Sequence, residues 1–213
     1  MNWKEFLHIW LSNSFSLNIE IGMSFFVIII IGIIFFLFFK SLRKFNLFSN
    51  SDVELNINLG GIGNIKIKSN YEVAQIAHKA WTELITRKAG LPLEPNNDVI
   101  VEVYNSWYQL FGEIRELTKN IPASQIRNNN TQKLVNLLID SLNKGLRPHL
   151  TKWQARFRRW YDNEIQKEEN KNKSPQEIQK MYPYYNNLIQ DLLGINQQLV
   201  SYTNELKKLI FLK

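Results

Sequence analysis

From residue 21 to residue 39 the chain is an almost unbroken run of Ile, Phe, Val, Leu and Met, interrupted only by Gly22, Ser24 and Gly32. A helix that is apolar on every face suits a bilayer better than a soluble core, and crossing the hydrocarbon layer takes roughly 20 such residues. The pattern predicts a single transmembrane helix. Lys40, Arg43 and Lys44 flank its C-terminal end, whereas the residues ahead of it carry only Lys4 against Glu5 and Glu20. Positive charge stays on the cytoplasmic side, so the expected topology is an N-terminus outside and residues 40–213 in the cytoplasm, in a bacterial-type inner (plasma) membrane. A cleaved signal peptide fits poorly: its apolar core spans about 7 to 15 residues, its N-terminal flank is basic and its exit carries a small-x-small site.

Ahead of the span, Trp3, Phe6, Leu7, Trp10 and Leu11 recur at i, i+3, i+4, i+7 and i+8. That spacing predicts a short interfacial helix within residues 1–20, with its tryptophans at headgroup depth. After a basic, then Asn/Ser-rich linker over residues 40–52, the period changes to two. Val53, Leu55, Ile57 and Leu59 alternate with Glu54, Asn56 and Asn58, and Ile65 and Ile67 alternate with Lys66 and Lys68 beyond Gly60, Gly61 and Gly63. This is the pattern of a β-hairpin over 53–68 with one apolar face. An isolated hairpin is only marginally stable, so it must pack on helices, on a copy of itself or on a partner's sheet edge. A turn fits these glycines better than a phosphate loop, because a second strand rather than a helix N-terminus follows them and no Gly-Lys-Ser/Thr is present.

Residues 71–213 read as a helical bundle, so the expected fold class is mostly α. One stripe, Val73, Ile76, Ala77, Ala80, Trp81 and Leu84, ends at Gly90, Pro92 and Pro95; a second, Ile100, Tyr104, Trp107, Phe111 and Ile114, closes at Ile121 and Pro122. A third, around Leu134 to Leu142, is expected to stop at Gly145. Pro148 then suits the first turn of a fourth helix, whose apolar face carries Leu150, Trp153, Phe157, Trp160 and Tyr161. Ser174, Pro175 and Glu177 form the signature of a capping box, and the charged stretch 167–173 before it reads as a loop. In the last helix Tyr185, Leu188, Leu192, Ile195, Leu199, Tyr202, Leu206 and Leu209 alternate spacings of three and four. Such a seam serves either a self-associating coiled coil or the long central helix of a bundle. Neighbouring Ile189, Asn196, Gln198 and Thr203 lack the complementary charges that specify partners, which favours the bundle.

Charge and chemistry refine this picture only a little. With 26 Lys plus Arg against 19 Asp plus Glu the chain is at +7, and everything from Lys40 onward is at +8; such an excess inclines a protein toward anionic partners. There is no cysteine, so disulfides, thiol nucleophiles and cysteine-ligated metals are excluded. Three histidines, His8, His78 and His149, show no helical metal spacing, and His78 reads as an ordinary residue at the border of its helix's apolar stripe. No cofactor is expected. The one cationic cluster worth a functional hypothesis is Lys144, Arg147 and His149 leading into Lys152, Arg156 and Arg159, a face that suits phosphates of lipid or nucleic acid; a merely solvated face is the simpler alternative.

These readings converge on a non-enzymatic, membrane-tethered sensor or assembly module whose cytosolic bundle binds a protein or nucleic-acid partner, with self-association through the last helix as one route. A short span followed by a cytosolic domain also resembles the layout of membrane-perturbing effectors in bacterial anti-phage defence, a likeness of architecture alone.

Overall fold

The computed structural model describes residues 7–11, 17–21, 23–44 and 51–211, with side chains at 25–38 and 52–211. They belong to two compact units, Met1–Leu47 and Phe48–Lys213.

In the first unit β1 (Leu7–Leu11) pairs antiparallel with β2 (Leu17–Ile21), Leu7 facing Ile21, Ile9 facing Ile19 and Leu11 facing Leu17. The interfacial helix expected from Leu7, Trp10 and Leu11 is therefore replaced by a strand; Trp3 and Phe6 lie outside the described residues. Leu7 and Leu11 fit two periods at once. With Ile9 they also alternate, and Leu17, Ile19 and Ile21 supply a matching second run across the turn formers Asn13, Ser14 and Ser16. Helix α1 (Met23–Lys44) follows, so Ile21 ends a strand and the helix takes the rest of the apolar run. The large apolar side chains described on α1 are all exposed, from 38% at Phe25 to 66% at Phe36. Among the described residues no helix is long and apolar enough to cross a membrane. Lys40, Arg43 and Lys44 fall in the last turns of α1, and their side chains, like linker residues 45–50, lie outside those described.

The second unit is mostly helical around a small antiparallel hairpin. Strands β3 (Ser51–Ile57) and β4 (Gly63–Ser69) set Val53 opposite Ile67 and Leu55 opposite Ile65, as the period-two pattern predicts. Among the described residues seven α-helices follow: α2 (Tyr71–Ile85), α3 (Ile100–Lys119), the single turn α4 (Ala123–Ile126), α5 (Asn129–Asp140), α6 (Arg147–Glu164), α7 (Pro175–Lys180) and α8 (Tyr185–Lys208). The hairpin packs on helices of its own chain, which also satisfy its edges. The Asn56 N–H donates to the Glu205 carboxylate of α8 at 2.8 Å, and the Lys68 N–H donates to Asn130 of α5 at 3.1 Å. Lys133 Nζ donates to the Lys66 carbonyl at 3.1 Å. A sheet of two strands is thus stabilised by burying Leu55, Ile57 and Ile67 and by capping backbone groups that would otherwise template another chain.

At Gly145 the structure corrects the expected helix stop. After Asp140 the helix widens into a π-helical turn, Ser141–Leu146, and runs on into α6. The glycine is there for close approach. A Cβ on Gly145 would lie 2.5 Å from Leu59 Cγ, and one on Gly60, whose φ of +61° already favours glycine, would lie 2.7 Å from the Gly145 nitrogen. The hairpin turn therefore seats directly on the π-turn through two glycines and the buried Leu59.

The heptad-like residues of α8 lie inside the unit. Leu188, Leu192, Leu199, Tyr202, Leu206 and Leu209 are buried, with Tyr185 and Ile195 half-buried against the same core. Helix α8 packs on α2, α6 and β3. Two buried amides then fasten the 86–99 connection across the bundle. Asn196 accepts from the Leu93 N–H at 2.9 Å and donates to the Lys88 and Leu91 carbonyls at 2.7 and 3.0 Å, while Gln179 accepts from the Ile100 N–H at 2.9 Å and donates to the Asp98 carbonyl at 3.0 Å. The Ser174–Glu177 capping box that starts α7 is formed in full.

Candidate functional site

Helix α6 carries most of the cationic residues picked out from sequence. Its buried stripe, Leu150, Trp153, Phe157 and Tyr161, leaves the remaining circumference open, and the basic residues spread over it at helical spacing. Their contacts differ from one residue to the next. Lys144 sits in the π-turn, paired with Asp140 at 2.8 Å. Arg147 is exposed, donates to Asn143 at 3.1 Å and lies 5.0 Å from the centre of the Phe111 ring, facing α3. Lys152 turns to the other flank, where it meets Asp191 of α8 at 2.7 Å. Arg156 stacks over Trp153 and Tyr184 at 5.9 and 5.5 Å. Arg159 is exposed between these flanks.

His149 stands apart from this set. It is buried, its Nε2 is 3.1 Å from the Tyr104 hydroxyl, and its ring lies edge-on to Trp107. Burial pushes its pKa down to about 4, with the Asp191 charge partly opposing and the Lys152 charge adding. It is therefore neutral at pH 7 and supplies no positive charge to the face. Tyr104 is raised for the same reason, desolvation first and the Asp191 charge second. Asp191 itself is held below the usual carboxylate range by hydrogen bonds from Lys152 and from the Trp153 indole, both at 2.7 Å. This carboxylate was not legible as a partner of α6, since it lies 38 and 39 positions away from the two donors. His78 is exposed on α2, stacked on Trp81 at 6.3 Å.

Between α3 and α6 runs a groove of about 560 Å³. Each wall is a stripe at i, i+4 and i+7: Tyr108, Gly112 and Arg115 on α3, and Arg147, Thr151 and Gln154 on α6. The helices are antiparallel. Arg158 near the end of α6 donates to Asn105 near the start of α3, while Arg147 at the start of α6 covers Phe111 farther along α3. Arg115 and Arg147 consequently share one end of the groove, and Tyr108 and Gln154 the other. Sequence reading took in Arg147 but passed over Tyr108 and Arg115, because they flank the Trp107 and Phe111 stripe and look like ordinary solvent positions; their i, i+7 spacing was the available signal. Among the described residues no group of three or more His, Asp or Glu is placed to hold a metal ion. No family model matches the chain, and neither a curated protein nor a solved structure matches it.

Proposed function

We propose that this chain is a non-enzymatic, membrane-tethered binding module: α1 resides in a bilayer and the Phe48–Lys213 unit recognises a partner on the cytoplasmic side. The observation that carries this reading is the exposure of every large apolar side chain described on α1, including Phe35, Phe36 and Phe38 at 59% or more. Apolar area costs about 25 cal/mol per Å² when left in water, and placing α1 in lipid removes that cost. From Met23 to Lys40 the helix rises about 26 Å at about 1.5 Å per residue, the short end of the bilayer range, and the sequence places Lys40, Arg43 and Lys44 at its C-terminal end. The opposite character of the second unit, whose long helix buries its apolar seam, supports its role as a water-soluble module on that tether.

The test is fractionation of the full chain with alkaline extraction of membranes, together with a reporter fused after Lys213. The chain should remain in the extracted membranes and the reporter should be active in its cytoplasmic form. Ile30→Asp with Ile34→Asp, at about 3 kcal/mol of insertion cost each, should release the chain into the soluble fraction. Wild-type chain recovered in the soluble fraction would refute the tether.

A further inference from the structure

We propose that the groove between α3 and α6 is a nucleotide site, with the phosphate at the Arg115 and Arg147 end and the base at the Tyr108 and Gln154 end. The claim rests on the reading of the Phe48–Lys213 unit as a binding module and is independent of where α1 resides.

Four features of the groove select this chemistry. Arg115 and Arg147 both line one end, and among the described residues neither forms an ion pair within 4 Å; Glu116, beside Arg115, is hydrogen-bonded by Lys119 at 2.8 Å and senses Arg115 only through its charge, while Glu113 lines the same groove. Arg147 is oriented in advance by Asn143 and the Phe111 ring, which lowers the entropy lost when a planar fork grips phosphate oxygens. Tyr108, 66% exposed, stands seven residues from Arg115, a rise of about 10 Å. That separation matches a nucleoside monophosphate laid lengthwise, and an exposed aromatic ring at that distance is a stacking platform for a base. Finally, Gly112 opens the middle of the groove: a Cβ built there meets nothing within 4 Å. A helix-interior glycine costs about 1 kcal/mol relative to alanine, and here the open space sits between the cationic and aromatic ends. Gln154 supplies both a donor and an acceptor for a base edge, and Glu113 on the rim accepts from sugar hydroxyls.

The volume of about 560 Å³ lies in the usual range of small-molecule pockets, about 300 to 1,000 Å³. A nucleotide reaches such a groove either free in solution or as part of a single strand. Both present the same phosphate, sugar and base.

Isothermal titration of the full chain in nonionic detergent distinguishes the sources, using AMP and GMP in one arm, a ten-residue single-stranded oligonucleotide in the second, and adenosine and inorganic phosphate as partial ligands. Saturable binding tighter than about 1 mM is expected in at least one of the first two arms, with adenosine and phosphate each about tenfold weaker or worse. Binding in the AMP or GMP arm identifies a free nucleotide; binding in the oligonucleotide arm alone identifies a strand. Arg115→Gln with Arg147→Gln should weaken that binding at least tenfold with unchanged helix content. Gly112→Leu, which fills the groove without touching a charge, should abolish it while leaving the fold intact. Absence of binding in both arms, phosphate binding as tight as nucleotide, or binding indifferent to Gly112→Leu would overturn the site. None of those results bears on membrane extraction, so the tether stands or falls separately.

Discussion

Helices α1 and α8 are close in length, 22 and 24 residues, yet they place their apolar side chains in opposite surroundings. On α1 apolar residues cover the whole circumference and the described ones are exposed, whereas on α8 they follow one seam and are buried against α2, α6 and β3. The polar residues of α8 account for the contrast. Asn196 and Thr203 enter the buried side only because each has a backbone partner, Asn196 on the 88–93 loop and Thr203 on the Leu199 carbonyl at 2.8 Å. A helix built for a protein core tolerates polar groups wherever the tertiary structure can satisfy them. A helix without such groups leaves its environment to be chosen by hydrophobicity alone.

The sharpest way to break this comparison is to charge both helices. Leu192→Asp and Leu199→Asp should each cost roughly 3 to 5 kcal/mol, since a carboxylate enters a site with no partner, and together they should unfold the Phe48–Lys213 unit by circular dichroism. Ile30→Asp in α1 should leave the unfolding midpoint of that unit unchanged. A folded Leu192/Leu199 variant that merely loses mass by light scattering would return the α8 seam to an intermolecular role.

Next in size is the pH response of the α3 to α6 contact at His149. His149 titrates near 6.5 when unfolded and at about 4 when folded, so between those values the unfolded chain binds more protons. Stability contributed by neutral His149 is complete above about pH 6.5 and is lost as pH falls toward 4, a total of about 3 kcal/mol at about 1.4 kcal/mol per unit. Chemical denaturation at pH 7, 5.5 and 4.5 should show this decline, and His149→Gln should flatten it. Asp191, lowered by Lys152 and Trp153, adds a loss of the same sign only at more acidic pH.

Smaller effects follow at the hairpin seat and the surface. Gly145→Ala should cost about 2 kcal/mol through its clash with Leu59. In a Leu59→Ala background the offending atoms are absent, so the second substitution should cost well under about 1 kcal/mol; additive losses would show that the turn does not seat as described. Lys152→Gln, at a half-exposed ion pair, should change stability by less than about 1 kcal/mol in thermal melts.

Much of this fold is written in local pattern. The 53–68 hairpin, the stripes of α2, α3 and α6, and the capping box of α7 each follow from a period or a short signature that depends on neighbours within a few residues. Where two periods coincide, pattern alone misleads. Leu7 and Leu11 suit a helix and a strand equally, and the pairing with residues 17–21 decides for the strand. Gly145 looked like a terminator because glycine usually ends helices; its actual reason is the Gly60 turn, 85 positions earlier in the chain.

The candidate site divides in the same way. That α6 is basic and amphipathic is a property of its own residues, and so is the all-round apolar character of α1. The grouping of those charges is tertiary. Burial removed His149 from the cationic set, Asp191 pairs with Lys152, and the antiparallel docking of α3 set Arg115, Arg147 and Tyr108 along one groove. Sequence by itself determined the type and amphipathic face of most elements, because backbone sterics and side-chain periodicity act within a turn or two. Only the tertiary structure decided which charges stay free and which glycines are close contacts, because both depend on residues tens of positions apart meeting in space.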